Sequence, residues 1–281
     1  MRILLFGKNG QLASEIRKKI NVISLGKKDF DLLNYKKINN LIEYYEPDFV
    51  INSSAYNLVD RAEIEKNQAL ILNGYAPQAM AKSCFKKKIP LVHFSTDYVF
   101  NGKSDKKYKT HDKTSPINWY GKTKLIGEKL IAKTNCNYNI IRTSWVFSNK
   151  KDNFVAKIIK NSKKGNLKVT FDEIGSPTPA LQLADLTKLI IKSFKKNKFK
   201  RGIYHYTSYP CISRFDFAKI ILKKINYKKS IFPISLNDIN TLARRPKKSC
   251  LNSKKILKTY NFKQKKWINS LTISINNNYE K

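Results

Sequence analysis

Apolar and polar positions follow two rhythms along the first half of the chain. Short apolar runs of strand length occupy 2–7, 21–26, 48–55, 89–96 and 138–145. Between them, at 10–20, 35–46, 76–88 and 120–134, apolar residues return every three or four positions, as one face of a helix requires. The strand-like runs are continuous rather than alternating, which predicts burial on both faces. Pro47 stops the second helix. Strands alternating with helices of this length predict an α/β fold, a Rossmann-type doubly wound parallel sheet with helices on both faces. The second half is less regular. Helices are predicted over 152–165, 181–197 and 214–225, with short strands between them and no internal repeat. The pattern predicts a smaller α/β lobe built onto the first sheet.

Composition changes this picture little. The 281 residues suffice for one large domain or two unequal ones. No apolar stretch nears the roughly 20 residues of a membrane helix, and the N-terminal run is too short for a secretory signal. The chain therefore reads as cytoplasmic, without a membrane partner. Cys84, Cys136, Cys211 and Cys250 are scattered with no C-x-x-C pair, so four reduced thiols are expected. The net charge of +36 invites a nucleic-acid reading, yet only eight of the 56 basic residues are Arg. Base and phosphate readers favour the Arg fork. Lys spread along the whole length reads as solvated surface, so no dedicated nucleic-acid function is expected.

Candidate chemistry lies at the ends of strands. "FGKNGQLASE" follows the first strand and opens the first helix, with Gly7, Gly10 and Ala13 at three-residue intervals. Gly7 permits a tight turn, and Gly10 lets backbone N–H groups approach a pyrophosphate at the helix N-terminus. The second strand ends in Gly26-Lys27-Lys28 rather than in the acid that binds the ribose of NAD. That favours NADPH, with NADH as the alternative. Further on, "STD" at 95–97 closes a strand, where doubly wound sheets bind ligands. Tyr120 and Lys124 stand four residues apart, about 6 Å on one helix face. An ammonium beside a phenol is expected to lower its pKa from about 10 and fit it for acid–base work. Thr96 can donate to a carbonyl beside Tyr120, and Asp97 can accept from a sugar or a base.

These blocks, with "NSSAYNLVDRAE" (52–63), "RTSWVFS" (142–148), "DEIGSPTPALQLAD" (172–185), "GIYHY" (202–206) and "RRPKKSCLNSKKI" (244–256), resemble the extended short-chain dehydrogenase/reductases. Within them the chain is most similar to the dTDP-4-dehydrorhamnose reductase family, over nearly its whole length. The resemblance implies two lobes. Residues 1–147, with approximately 182–200 and 238–256, would bind NAD(P)H. Residues 148–181, with approximately 201–237 and 257–281, would close over a nucleotide sugar. It implies reduction of the C4 ketone of the sugar, with Thr96, Tyr120 and Lys124 as the catalytic set. Gly7, Gly10, Gln11 and Leu12 would form the cofactor turn, Asp31 and Leu32 would lie near the adenine, and Ala55 and Tyr56 would lie beside the cofactor. Asn57, Val59, Asp97 and Trp145, together with Thr96, would face the substrate. Asn57 departs from the family's usual Thr. Some members bind Mg²⁺ through interface glutamates; Glu15 matches one, but no partners are evident, so no metal is expected. A homodimer is compatible with the resemblance. The alternatives are a related nucleotide-sugar epimerase or dehydratase, or a non-catalytic dinucleotide-binding regulatory subunit. Dehydratases carry an acid after the Thr-Asp pair, where this chain has Tyr98.

Overall fold

The fold comes from a computed structural model that describes residues 1–149 and 153–279. Residues 150–152 and 280–281, which the expected second lobe includes, lie outside the described residues. Five apolar runs form β1 (Ile3–Phe6), β2 (Ile23–Leu25), β3 (Phe49–Asn52), β4 (Leu91–Thr96) and β5 (Tyr138–Thr143). With Gly202–His205 they make a six-stranded sheet in the order β2-β1-β3-β4-β5-Gly202–His205. All of its pairings are parallel. Every residue of β1, β3, β4 and β5 is buried. The continuous apolar runs reflect a sheet covered on both faces.

One face packs helix α1 (Gln11–Lys19) and the helix Ala180–Lys195 around Leu5, Ile51 and Val92. The other packs Ile38–Tyr45 and Ala76–Lys86 around Leu4, Val50 and Leu91. A third cluster lies apart from the sheet. It joins the helices Phe154–Ser162, Arg214–Lys224 and Ile268–Tyr279 around Phe217 and Trp267. Among the described residues no helix is long and apolar enough to cross a membrane.

The chain turns to β2 on one side of β1 and returns to β3 on the other. The switch point therefore lies between the carboxyl ends of β1 and β3, where such sheets bind ligands. Gly7 stands there with φ +98, and a Cβ on it would lie 2.8 Å from the backbone nitrogen of Ser54. No residue but glycine fits that close approach without strain.

One expectation is corrected here. Cys211 and Cys250 are paired as a disulfide, with Cα atoms 6.2 Å apart, while Cys84 and Cys136 are free and buried. The pair is 39 residues apart in sequence. The pairing strand segments Ile212–Ser213 and Ile174–Gly175, and the bridge from Ile174 to Lys248, bring the two cysteines together. Local spacing carries no trace of that approach.

Candidate active site

Gly10 is the N-cap of helix α1, so no side chain caps its first turn. Its free N–H groups and the helix dipole make this end an anion seat. Gly10, Gln11 and Leu12 line a cavity of about 380 Å³. Thr96 and Asp97 from the end of β4 line the same cavity, with Tyr120 and Lys124 from the helix Trp119–Ala132. A second cavity of about 160 Å³ opens beside Gly7, lined by Leu25, Phe30, Asp31, Leu32 and Leu72. Ala55 lines both. An apolar slot, then an uncapped helix end behind a positive-φ glycine, then a polar chamber is the donor set a dinucleotide requires. The residues present therefore fit NADP(H).

The helix that carries Tyr120 is seated firmly. Asn118 caps it, accepting from the Gly121 N–H at 2.8 Å, and its amide donates to the Arg244 carbonyl at 2.8 Å. A Cβ on Gly121 would lie 2.2 Å from the Tyr98 carbonyl oxygen, so only glycine lets the helix rest on that backbone. Gly127 plays the same part against the Asn73 carbonyl, 2.1 Å from its notional Cβ. One helical turn beyond Lys124, the buried Glu128 accepts from Arg142 Nη2 at 2.6 Å and from Ser95 Oγ at 2.5 Å. This ties the helix to β4 and β5.

Lys124 is 1% exposed. Its Nζ donates to the Phe94 carbonyl at 2.7 Å and lies 3.3 Å from His93 Nε2. Burial pulls its pKa down to about 8, against the attraction of Glu128. Tyr120 is pushed up to about 12, chiefly by burial; a hydrogen bond with Thr96 opposes the shift, and the charge of Asp97 adds to it. The expectation that Lys124 lowers the phenol pKa is thus not met. The lysine head is engaged by Phe94 and His93 rather than by the phenol. A phenol that keeps its proton is suited to give it up only to a stronger base, such as a forming alkoxide. Asp97 is 2% exposed and raised to about 6 by burial, while Ser249, Thr96 and Arg214 pull it back. Its Oδ2 is buried with no hydrogen-bond partner.

Trp145 also lines the chamber. It adopts φ +45, in the left-handed region. The Arg214 guanidinium stacks 3.6 Å from its ring centroid. Gly175 backs the indole so closely that a Cβ there would lie 2.5 Å from Cε2.

A family model described as RmlD substrate binding domain matches residues 1–280. The chain belongs to that family. The dTDP-4-dehydrorhamnose reductase of Aggregatibacter actinomycetemcomitans is 33% identical, over 96% of this chain and 97% of its own. A crystal structure of a dTDP-4-dehydrorhamnose reductase from Clostridium acetobutylicum matches with a TM-score of 0.90 at 31% identity, covering 98% of this chain and 99% of that one. The dTDP-4-dehydrorhamnose reductase of Bacillus anthracis, solved in complex with NADP, matches with a TM-score of 0.89 at 29% identity, covering 99% and 98%.

In this RmlD-family chain the structure gathers most of the residues that the sequence singled out. Gly10, Gln11, Leu12, Ala55, Asn57, Val59, Thr96, Asp97, Tyr120, Lys124 and Trp145 line one cavity; Gly7, Asp31 and Leu32 line the smaller one. Asp31 also caps the turn that follows it, accepting from the Leu33 N–H at 3.0 Å. Tyr56 is the exception. Its ring packs with Ala62 and Ala69, its hydroxyl donates to Glu65 at 2.6 Å, and it lines neither cavity. Further residues went unread in the sequence: Ser53, Thr143, Ser144 and Arg214 line the larger cavity, and Asn73 lies outside both but holds the segment that follows Ala55. Arg214 reaches the chamber from the third cluster. Asn73, fully buried in the turn Ile71–Tyr75, accepts from the Tyr56 N–H at 2.9 Å and donates to Thr123 Oγ1 at 3.1 Å. An Asn-Gly pair inside the apolar run "ALILNGY" was the available signal for Asn73; for Arg214 there was none.

Proposed function

We propose that this chain is a cytoplasmic, NADPH-dependent reductase that converts the C4 ketone of dTDP-4-dehydro-L-rhamnose to the alcohol of dTDP-L-rhamnose, a precursor for polysaccharide synthesis. The observation that carries the reading is the convergence of Thr96, Tyr120 and Lys124 on one cavity with the uncapped start of α1. When bound, NADPH supplies the hydride. The protein's part is proton delivery and charge stabilisation. The Thr96 hydroxyl polarises the ketone oxygen, and Tyr120 transfers its phenolic proton to that oxygen as negative charge develops. Lys124 would hold the nicotinamide ribose and, once it has taken up its proton, favour the phenolate left behind. Asn57, Val59, Asp97 and Trp145 wall the sugar, with Arg214 behind the indole. Elimination chemistry finds less support, because Tyr98 stands where an acid would be needed and burial lifts its phenol well above its usual pKa.

The proposal includes two lobes. Residues 1–147 with about 182–206 and 238–260 hold the cofactor, and residues 148–181 with about 207–237 and the C-terminal stretch hold the nucleotide sugar; the expected boundary at 201 moves because Gly202–His205 is the sixth strand of the sheet and Tyr206 packs on it. Support comes from the third apolar cluster, which is separate from the two that flank the sheet. Tyr260 packs in a sheet cluster, so the last boundary is drawn after it.

A coupled assay with dTDP-4-dehydrorhamnose, following the loss of NADPH absorbance, tests the reading. Tyr120→Phe should lower kcat by about 10²-fold or more, the scale of general-acid catalysis, with nucleotide-sugar binding retained. Near wild-type turnover would remove Tyr120 from the mechanism.

A further inference from the structure

Behind Lys124 lies a buried polar chain that the proposed reaction does not use. His93, in the middle of β4, and Asn52, at the end of β3, are both fully buried. Asn52 Oδ1 accepts from the Ser54 backbone N–H at 3.0 Å and from Ser54 Oγ at 2.5 Å. A backbone N–H can only donate, so this side of the amide must be oxygen. The other side, Nδ2, faces His93 Nδ1 at 3.1 Å. An amide nitrogen also only donates, so His93 Nδ1 must present a lone pair. The proton of a neutral imidazole then sits on Nε2, which faces Lys124 Nζ at 3.3 Å.

An ammonium has no lone pair to receive that proton. Moving the ring proton to Nδ1 or turning the amide relocates the conflict, because two donors then meet at Asn52 or at Ser54, and turning the ring puts carbon against both nitrogens and forfeits both hydrogen bonds. A free amine satisfies every contact: it accepts from His93 Nε2–H and donates to the Phe94 carbonyl at 2.7 Å.

We infer that His93, locked as its Nε2–H tautomer by Asn52, donates to Lys124 as a free amine and thereby sets the pH at which Lys124 takes up its proton. His93 is a positioning residue here; it acts through Lys124. Burial and the neighbouring lysine hold the imidazole well below its usual pKa, so it stays neutral. Lys124 at about 8 titrates within reach of ordinary assay conditions. The other charged or titratable groups around Lys124 are Glu128 on its own helix, already taken by Arg142 from β5, and Tyr120, Asp97, Tyr98 and Arg214 around the cavity. The chain begins at Ser54, which lines the smaller cavity, so it runs from the cofactor side to the lysine. The effect on turnover rests on the proposed reductase reading; the proton positions do not.

The test is a long-range proton–nitrogen correlation spectrum of the full chain labelled with ¹⁵N-histidine. The chain has three histidines, and His93→Gln assigns the relevant signals. His205 gives an internal contrast, since its Nδ1 faces the Tyr108 carbonyl and its Nε2 faces Arg142, which requires the opposite tautomer. His93 should show a protonated Nε2 and a bare Nδ1. Its shifts should titrate once between about pH 6 and pH 10. That titration should vanish in Lys124→Met. A proton on Nδ1, an imidazolium, or a flat His93 signal across that range would each overturn the inference. In kinetics, His93→Leu should move the Lys124-dependent limb of the kcat/KM profile upward by about one pH unit, and His93→Gln, which can still donate, should move it less. If the spectra behave as described and the kinetic limb stays put in every variant, the inference stands and the catalytic reading of Lys124 fails.

Discussion

Replacing Trp145 by Ala separates a wall of the substrate chamber from a piece of core. The indole is partly buried, carries the Arg214 guanidinium 3.6 Å from its centroid, and turns the rest of its surface to the cavity. A fully buried Trp→Ala change costs about 3–5 kcal/mol, and a half-buried ring should lose about half of that. Loss of the guanidinium stack adds ~0.5–1 kcal/mol. Against this, the Nε1–H is buried with no partner, and removing it relieves a penalty of about 1 kcal/mol. The net cost is about 1–2.5 kcal/mol. For a chain of this size that lowers Tm by about 2–10 °C, at roughly 2–4 °C per kcal/mol. Thermal unfolding and steady-state kinetics on the same preparation provide the assay. The expected result is that Tm shift together with a KM for the nucleotide sugar raised about tenfold or more, equivalent to ~1.4 kcal/mol or more of lost binding. A Tm drop well beyond 10 °C with unchanged kcat/KM would show that the indole is core and not wall.

Gly121→Ala should destabilise the chain by about 1–3 kcal/mol, because the added methyl meets the Tyr98 carbonyl at 2.2 Å and the helix must lift; an unchanged Tm would mean that the helix has room to move. Lys27 lies at the mouth of the smaller cavity, 3.7 Å from the Asp31 carboxylate, and Lys28 follows it. Wild type should bind NADPH more tightly than NADH, and changing both lysines to Asp should shift the ratio of the two Kd values towards NADH by about tenfold or more; equal affinities that the double change does not move would place the 2′-phosphate elsewhere.

The sheet was readable because its strands are buried on both faces, and continuous apolar runs report that directly. Tyr120 and Lys124 were readable for another reason: helical spacing is rigid, so four residues imply one face. The strand ends were readable because "STD" leaves polar groups where a buried strand has none to spare. What escaped depends on contacts distant in sequence. Asp60 is clamped by Arg245 Nη2 at 2.6 Å and by the Ala243 N–H, 183 residues away. Arg214 meets Trp145 only because the Ser213 and Ile174 strand segments pair. The proton state of Tyr120 escaped as well. Spacing set the phenol near the lysine, but the lysine head turns to His93 and Phe94, and no linear pattern records that choice.

Asp97 shows how the same burial that shapes the site costs stability. Its pKa rises from 3.8 to about 6 in the folded chain. A carboxyl raised on folding holds its proton more tightly in the native state, so its contribution is complete below about pH 4 and is lost as pH climbs through 6. A shift of about two units corresponds to ~3 kcal/mol surrendered at neutral pH. Asp97→Asn keeps the size and removes the titration. The difference in unfolding free energy between wild type and Asp97→Asn, measured by urea at several pH values, should therefore be small at pH 4 and should grow in the variant's favour to a few kcal/mol by pH 7. Other acids titrate in both proteins and cancel in that difference. The same variant should turn over more slowly, since an amide offers a hydroxyl a weaker acceptor than a carboxylate. A stability difference that is flat from pH 4 to pH 7 would mean that Asp97 ionises at its ordinary value and that the chamber admits enough water to solvate it.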